Sequence, residues 1–296
     1  MQNHQNTPAG TYHRLPPWIR VRASGAEHNY GAVHAALRMT GLPTVCESAK
    51  CPNRLECFNR GTATVMILGD TCTRNCRFCA VKHGAPAPPA MDEPERVAQL
   101  AAKLGLRYVV VTSVTRDDLP DGGAAIFADV IRALHAIPVR VEVLTPDFQG
   151  NEASITTVLA AEPEVFNHNL ETVRRLQPLI RPQADYNRSL QVLRSAARRR
   201  PTMPVKSGLM LGLGETDDEL RQALCDLREH GCTTLTLGQY LAPSRQHFPV
   251  ARYVHPDEFE AYRQLALQLG FVGVAAGPLV RSSYHAERLA GDIGGG

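Results

Sequence analysis

The sequence has no long hydrophobic run. None of its apolar stretches, in 296 residues, approaches the ~18 residues that a membrane-spanning helix needs. The first ten residues are polar and lack the apolar segment of a secretory signal. We therefore expect no membrane association and a cytoplasmic protein. Disulfides rarely persist in that compartment, so the eight cysteines need another explanation.

The chain also lacks a strong excess of charge. It has 32 Lys and Arg against 29 Asp and Glu, a net charge of +3. Its densest basic run, 198–200, is typical of a solvated helix end. The glycine-rich segment 208–215 lacks the G-x-x-x-x-G-K-[ST] pattern of a phosphate-binding loop. Nucleic acid is therefore not expected as a partner, and no nucleic-acid module is evident.

What the sequence does contain, from residue 64 onward, is an alternation of short β-rich runs with longer helical patterns. The predicted strands are 65–68, 108–112, 139–144, 165–166, 208–211 and 234–237, and the clearest helical patterns are 93–104, 124–136 and 217–230. About six βα units of this kind predict a parallel sheet. The pattern does not distinguish a barrel from an open sheet. In a barrel, the chemistry lies at the carboxyl ends of the strands.

Three cysteines follow the first predicted strand. Cys72, Cys76 and Cys79 form a C-x3-C-x2-C pattern. Three thiolates can hold three irons of a four-iron cluster and leave the fourth iron open to an amine and a carboxylate. Phe78 could then pack on a bound aromatic base. A zinc site completed by His83 and a disulfide framework remain as alternatives, although structural zinc usually has paired C-x2-C ligands.

The pattern C-x3-C-x-F-C at this position resembles the radical S-adenosylmethionine (SAM) superfamily. The resemblance implies that the open iron binds the methionine end of SAM. An electron from the cluster then splits SAM into methionine and a 5′-deoxyadenosyl radical, which abstracts hydrogen from an unactivated carbon. The cofactor supplies this chemistry, and the protein positions it and excludes water.

A second triplet narrows the resemblance. Cys46, Cys51 and Cys57 form C-x4-C-x5-C, and R-S-S-Y-H-A begins at Arg281. Both resemble the motifs of lipoyl synthases. In that family the second serine of R-S-S-Y, here Ser283, is the fourth ligand of an auxiliary cluster. A hydroxyl binds iron weakly beside thiolates, which suits a cluster that loses iron as it gives up sulfur.

The resemblance to lipoyl synthases covers residues 40–290, with one small departure at Thr115. It implies two 4Fe–4S clusters, SAM, and insertion of two sulfur atoms into a protein-bound octanoyl chain to give the lipoyl group. The auxiliary cluster is consumed as the sulfur source. Arg281 is expected to support this chemistry or to contact substrate. The rival functions are a two-cluster methylthiotransferase and a non-catalytic iron–sulfur electron carrier.

The same resemblance implies several partners. The substrates would be octanoylated lipoyl carrier domains, namely the E2 subunits of 2-oxoacid dehydrogenases and the glycine cleavage H protein. An electron donor such as a ferredoxin or flavodoxin is also expected. An iron–sulfur carrier would rebuild the auxiliary cluster.

Polar residues near the predicted strand ends are candidate contacts for SAM or substrate. They are Ser113, Asp118, Glu142, Asn169 and Arg181. Capping of the following helix is the alternative role for such residues. Cys225 and Cys232 are expected to be packing residues.

The expected fold is a partial (β/α)6-type TIM barrel with extensions that cover its mouth. The expected division is a disordered tail 1–15, an N-terminal extension 16–62, the barrel 63–270 and a C-terminal segment 271–296. Residues 271–274 of that last segment are predicted to run as a final strand.

Overall fold

The computed structural model describes residues 15–19, 42, 57, 62–283 and 286–291. Along these residues the strands are β1 (Thr62–Ile67), β2 (Thr71–Cys72), β3 (Lys82–His83), β4 (Tyr108–Ser113), β5 (Arg140–Leu144), β6 (Val165–Asn167), β7 (Val205–Leu211), β8 (Thr234–Gln239) and β9 (Gly273–Gly277). Seven of them form one parallel sheet in the order β1-β4-β5-β6-β7-β8-β9, and β2 pairs with β3. The sheet is therefore built from neighbours in sequence.

Helices connect these strands. They are α1 (Glu93–Lys103), α2 (Ala124–His135), α3 (Glu152–Ala160), α4 (Gln177–Ile180), α5 (Tyr186–Arg199), α6 (Asp217–Glu229), α7 (Pro256–Gln268) and α8 (Ala286–Gly291), with 3-10 turns at Pro17–Ile19 and Phe148–Gly150. The three clearest helical patterns are confirmed, each ending one residue early. The basic run also lies at a helix end, because α5 stops at Arg199.

The predicted α/β class with a partial barrel is confirmed. The two edge strands, β1 and β9, are not paired with each other in the part of the chain described, so the parallel sheet is open there. β9 pairs with β8, so the sheet continues into the predicted C-terminal segment 271–296. Most of the predicted tail and N-terminal extension lies outside the described residues. Within those residues, no helix has the length and apolar character to cross a bilayer.

The two faces of the sheet differ in chemistry. Because successive residues of a strand point to opposite faces, one set of side chains packs against the helices and the other faces the barrel interior. The helix-side set is apolar and buried, as Val109, Val143 and Phe166 illustrate. The interior set includes Glu142 and Lys206, which are also buried. The barrel interior therefore contains buried charged groups, whereas the helix side of the sheet is apolar.

The two remaining cysteines lie around α6. Cys232 is fully buried in the hydrophobic core, and burial raises the pKa of its thiol to about 12. Cys225 is half-buried. Cys232 therefore packs as predicted, as a small core residue with an inert thiol.

Candidate active site

A cavity of about 460 Å³ lies at the carboxyl ends of the strands. Its wall includes Phe78 to Val81, the ends of β7 and β8, and the C-terminal residues 280–283. Active sites of (β/α) barrels form at this end of the sheet. Two parts of the chain that are far apart in sequence, the cysteine pattern and the R-S-S motif, therefore meet at one cavity.

The first cysteine triplet begins with the last residue of β2 and continues on the loop between β2 and β3. We call residues 72–79 the cysteine loop. Its three thiols are half-buried. Burial raises the pKa of Cys76, against a lowering by Arg181, and raises the pKa of Cys79 to about 11. Metal binding to these thiols must therefore displace protons.

The three thiols of the cysteine loop lie close together. Charge on one thiol raises the pKa of another, so the three are near neighbours. In a four-iron cluster each thiolate would bind a different iron, and three neighbouring thiols meet that requirement. His83, which would complete the zinc alternative, is exposed on β3.

Five of the predicted site residues line the cavity: Phe78, Cys79, Asn169, Arg281 and Ser283. Asn169 connects the end of β6 to the C-terminal segment, because its Nδ2 donates a hydrogen bond to Ser282 Oγ at 2.8 Å. Ser283 follows directly and is half-buried. Of the second cysteine triplet, Cys57 is described and half-buried, whereas Cys46 and Cys51 lie outside the described residues.

Glu142 lies in the barrel interior but outside the cavity wall. Its carboxylate accepts bonds from Lys206 Nζ at 2.9 and 3.2 Å, from the Tyr108 hydroxyl at 2.9 Å and from Asn167 Nδ2 at 2.9 Å. Burial, and then the charge of Glu142, raises the pKa of Tyr108 far above its usual value. The carboxylate is therefore engaged by protein groups.

The other three predicted contacts also lie outside the cavity wall. Asp118 is paired with Arg116 at 2.8 Å, which lowers the pKa of its carboxyl. Arg181 donates to the carbonyls of Asn169 and Leu170 at 3.4 and 3.3 Å, next to Cys76. Ser113 ends β4, and its buried Oγ has no hydrogen-bond partner. None of the five strand-end candidates is an N-cap of helices α1 to α7.

Sequence reasoning missed Glu171, which lines the cavity. Burial raises the pKa of this group, and Asn169 Nδ2 donates to its Oε1 at 3.0 Å. Its backbone has φ of 71°, a left-handed conformation that costs a non-glycine residue energy and is concentrated at functional sites. The only signal in the sequence was its position two residues after Asn169.

Glycines at two lumen positions make room for the cavity and its wall. A Cβ on Gly208 would lie 2.7 Å from Thr236 Oγ1 and 2.9 Å from Asn169 Oδ1. A Cβ on Gly238 would collide with the Val280 carbonyl oxygen. The absence of a side chain at Gly238 therefore allows the C-terminal segment to approach β8 closely.

Comparisons with known proteins agree with this geometry. A family model of the Radical SAM superfamily matches residues 66–227. Lipoyl synthase of Methylococcus capsulatus is 59% identical over 284 residues, which are 95% of this chain and 88% of that protein. Lipoyl synthase of Caldanaerobacter subterraneus is 54% identical over 275 residues, 93% of this chain and 96% of that protein.

Solved structures with low identity share the fold alone. Methylornithine synthase aligns with a TM-score of 0.57 at 12% identity, over 79% of this chain and 69% of that one. Streptococcus suis SuiB bound to S-adenosylmethionine aligns with a TM-score of 0.57 at 10% identity, over 77% of this chain and 53% of that one.

Proposed function

Because this chain belongs to the lipoyl synthase family of the radical SAM superfamily, we propose that it inserts two sulfur atoms into a protein-bound octanoyl-lysine, with an auxiliary cluster as the sulfur source. The family establishes the coarser statement, that the protein is a sulfurtransferase enzyme. The superfamily implies a 4Fe–4S cluster and SAM. The site and order of sulfur insertion are the proposal.

The single observation that carries the proposal is the shared cavity. Cys79 of the first triplet and Ser283 of the R-S-S motif line the same wall. A reaction that needs a radical source and a sulfur source within reach of one carbon chain requires such proximity. A simple electron carrier would not need it.

Each part of the wall has a role in this proposal. When bound, the cluster on Cys72, Cys76 and Cys79 together with SAM supplies the radical that removes hydrogen from an unactivated carbon. Leu144, Met210 and Leu241 give the cavity apolar surface, which suits an octanoyl chain. The segment 280–283 limits the access of water to that chain.

The auxiliary cluster is proposed to bind Cys46, Cys51, Cys57 and Ser283. The half-buried Ser283 at the cavity wall supports the last of these ligands. As partners we propose octanoylated lipoyl carrier domains, a ferredoxin or flavodoxin as electron donor, and an iron–sulfur carrier that rebuilds the auxiliary cluster.

Replacement of each triplet by alanine tests the division of roles. Cys72, Cys76 and Cys79 variants should form no 5′-deoxyadenosine from SAM. Cys46, Cys51 and Cys57 variants, reconstituted anaerobically, should still form it but make no lipoyl product from an octanoylated carrier domain. The measurements are iron and sulfide content, 5′-deoxyadenosine and lipoyl product. A second set that cannot cleave SAM while holding a full complement of its remaining cluster contradicts the assignment.

Ser283→Ala tests the proposed serine ligand. It should reduce lipoyl product more than 5′-deoxyadenosine, whereas Ser283→Cys should hold the auxiliary cluster more firmly and donate sulfur less readily, because thiolate binds iron more strongly. Ser282→Ala is the comparison variant: it removes the bond from Asn169, and its loss of lipoyl product should be smaller than that of Ser283→Ala. Wild-type product formation by Ser283→Ala, or an equal loss in Ser282→Ala, contradicts a ligand role.

A further inference from the structure

Arg74 lies inside the cysteine loop, between Cys72 and Cys76, and has no role in the reaction proposed above. Its side chain is only 4% exposed. The guanidinium makes bidentate contacts with two carboxylates. Its Nε and Nη2 donate to Asp117 at 2.6 and 2.8 Å, and its Nη1 and Nη2 donate to Asp147 at 2.9 and 2.7 Å.

The two carboxylates belong to different strand ends. Asp117 follows β4, and Asp147 follows β5. Asp147 is fully buried and also accepts from the Gln149 amide at 3.0 Å and from Arg188 Nη1 at 3.4 Å. Only the planar fork of arginine can make two such pairs at once. Arg74 therefore ties the cysteine loop to two neighbouring strands.

Hydrogen bonds of Thr73, the neighbour of Arg74, join the cysteine loop to the loop that follows β4. The Thr73 amide and hydroxyl both donate to the Thr115 carbonyl at 3.0 Å, and the Asp117 amide donates to Thr73 Oγ1 at 3.1 Å. As a result the Thr115 amide lies 3.3 Å from Cys72 Sγ, and the Arg74 amide lies 3.4 Å from the same atom. Both amides point at a sulfur that would bind iron.

Hydrogen bonds to cysteine sulfur are one of the factors that set the reduction potential of an iron–sulfur cluster. They favour the reduced cluster, because it carries more negative charge. The position of the Thr115 amide depends on how the loop after β4 packs against the cysteine loop. The Arg74–Asp117 ion pair is part of that packing.

We propose that Arg74 is a positioning residue, which holds the cysteine loop in its cluster-binding shape and keeps the Thr115 and Arg74 amides on Cys72 Sγ, so that it sets the reduction potential of the bound cluster. This inference rests on the cluster assignment within the proposed function. It does not depend on the identity of the substrate or on the auxiliary cluster.

The rest of the cysteine loop has independent support. The Arg77 amide donates to the Ile180 carbonyl at 2.8 Å, and the Phe248 amide donates to the Arg77 carbonyl at 2.8 Å. His247 Nε2 lies 3.0 Å from the Cys79 carbonyl oxygen. Loss of the Arg74 fork should therefore loosen the start of the loop without releasing the whole loop.

The test is Arg74→Lys in the full chain, which keeps the positive charge but removes the fork. Arg228→Lys is the matched control, because the half-buried Arg228 donates to the Cys232 carbonyl near the amino end of β8. The same changes in a Cys46→Ala, Cys51→Ala, Cys57→Ala background isolate the signal of one cluster. Iron and sulfide content, the potential from an electron paramagnetic resonance titration, and amide hydrogen exchange at 72–79 in the apoprotein are measured.

We expect Arg74→Lys to lower the ratio of reduced to oxidised cluster about tenfold at a fixed potential, which is about 59 mV for one electron. Exchange at residues 72–75 should quicken in the apoprotein, and Arg228→Lys should change neither quantity. A fully loaded Arg74→Lys protein with the wild-type potential and wild-type exchange overturns the proposal. A protein that makes no lipoyl product still reports its potential, so failure of the proposed function is distinguishable.

A second variant covers the case in which Arg74→Lys does not fold. Asp117→Asn removes one carboxylate charge and leaves the buried pair with Asp147 intact. A smaller shift of the potential in the same direction supports the proposal. No shift in a loaded Asp117→Asn protein overturns it.

Discussion

The outer and inner faces of the same parallel sheet are built on opposite principles. The outer face, represented by Val109, Val143 and Phe166, is apolar and fully buried against the helices. The inner face places Glu142 and Lys206, a charged pair, at similar burial. Burial of apolar surface stabilises a fold, whereas a buried ion pair contributes little net stability. The outer face therefore contributes more to the stability of the sheet than this inner pair does.

The largest loss of stability is expected for Phe166→Ala on the outer face. Phe166 is fully buried, and such a truncation costs about 3–5 kcal/mol because of lost burial and the cavity left behind. We expect a matching loss in the free energy of unfolding, measured by denaturant titration of the apoprotein. Phe166→Leu is the control and should lose much less. If the loss is below about 1 kcal/mol instead of the expected value of about 3–5 kcal/mol, the outer face does not provide most of the free energy of unfolding.

The inner face is tested by unpairing and then removing its charges. Glu142→Gln leaves the Lys206 ammonium buried without its counter-ion, which should cost about 3–5 kcal/mol. The double variant Glu142→Leu with Lys206→Met should restore only part of that loss, because it removes the unpaired charge but leaves the buried Tyr108 hydroxyl and Asn167 Nδ2 without their acceptor. Unfolding titrations of the three proteins make the comparison. A double variant as unstable as Glu142→Gln contradicts it.

A smaller effect is expected where a glycine keeps the lumen open. Gly208→Ala places a Cβ against Thr236 and Asn169, so the Asn169 amide that bonds Ser282 must shift. We expect lipoyl product formation to fall about tenfold, or about 1.4 kcal/mol. Gly277→Ala is the control, since its nearest neighbour would be the Val280 side chain at 3.4 Å. Equal activities of the two variants would show that the space beside Gly208 is not required for product formation.

An effect that is confined to acid conditions concerns His168, a fully buried titratable group just after β6. Burial lowers its pKa from 6.5 to about 4, so the folded protein binds fewer protons than the unfolded chain between these pH values. The free energy of unfolding therefore keeps its full value above pH 6.5 and falls as the pH drops from 6.5 through 4. The slope is up to about 1.4 kcal/mol per pH unit.

His168→Asn provides the comparison, because an amide can keep the contact with the Thr145 carbonyl at 2.9 Å without titrating. Unfolding of the apoproteins should show a shallower pH dependence for the variant. The contribution of carboxylates such as Asp147 is common to both proteins. Parallel curves from pH 7 down to pH 4 would mean that His168 titrates normally.

The sequence predicts the strands and the main helices because apolar runs and helical periodicity are local signals. The cysteine pattern is local as well. The order of apolar runs could not decide between an open and a closed sheet, because closure depends on whether the edge strands β1 and β9 meet. Nor did it reveal β9 at its full extent, since Gly273–Gly277 is rich in glycine and alanine.

The site residues likewise include some that the sequence could identify and some whose role depends on tertiary contacts. Asn169 and Phe78 line the cavity, whereas the similar strand-end residue Asp118 is paired with Arg116 two positions earlier. Sequence position alone cannot tell a carboxylate with a nearby partner from one that faces a ligand. Thr115, which the sequence comparison singled out, contributes its backbone amide and carbonyl to the cysteine loop. Neither of these bonds uses its side chain.

The order of strands in the sheet also bears on how the molecule folds. Each strand of the seven-stranded sheet pairs with the next strand of that sheet along the chain, so the sheet can grow through closures much shorter than the whole chain. The bond from Asn169 to Ser282 spans 113 residues, and that from Thr62 to Glu287 spans 225. Because longer closures cost more entropy, we expect them to form later. We therefore expect the cavity wall formed by the C-terminal segment to assemble after most of the barrel.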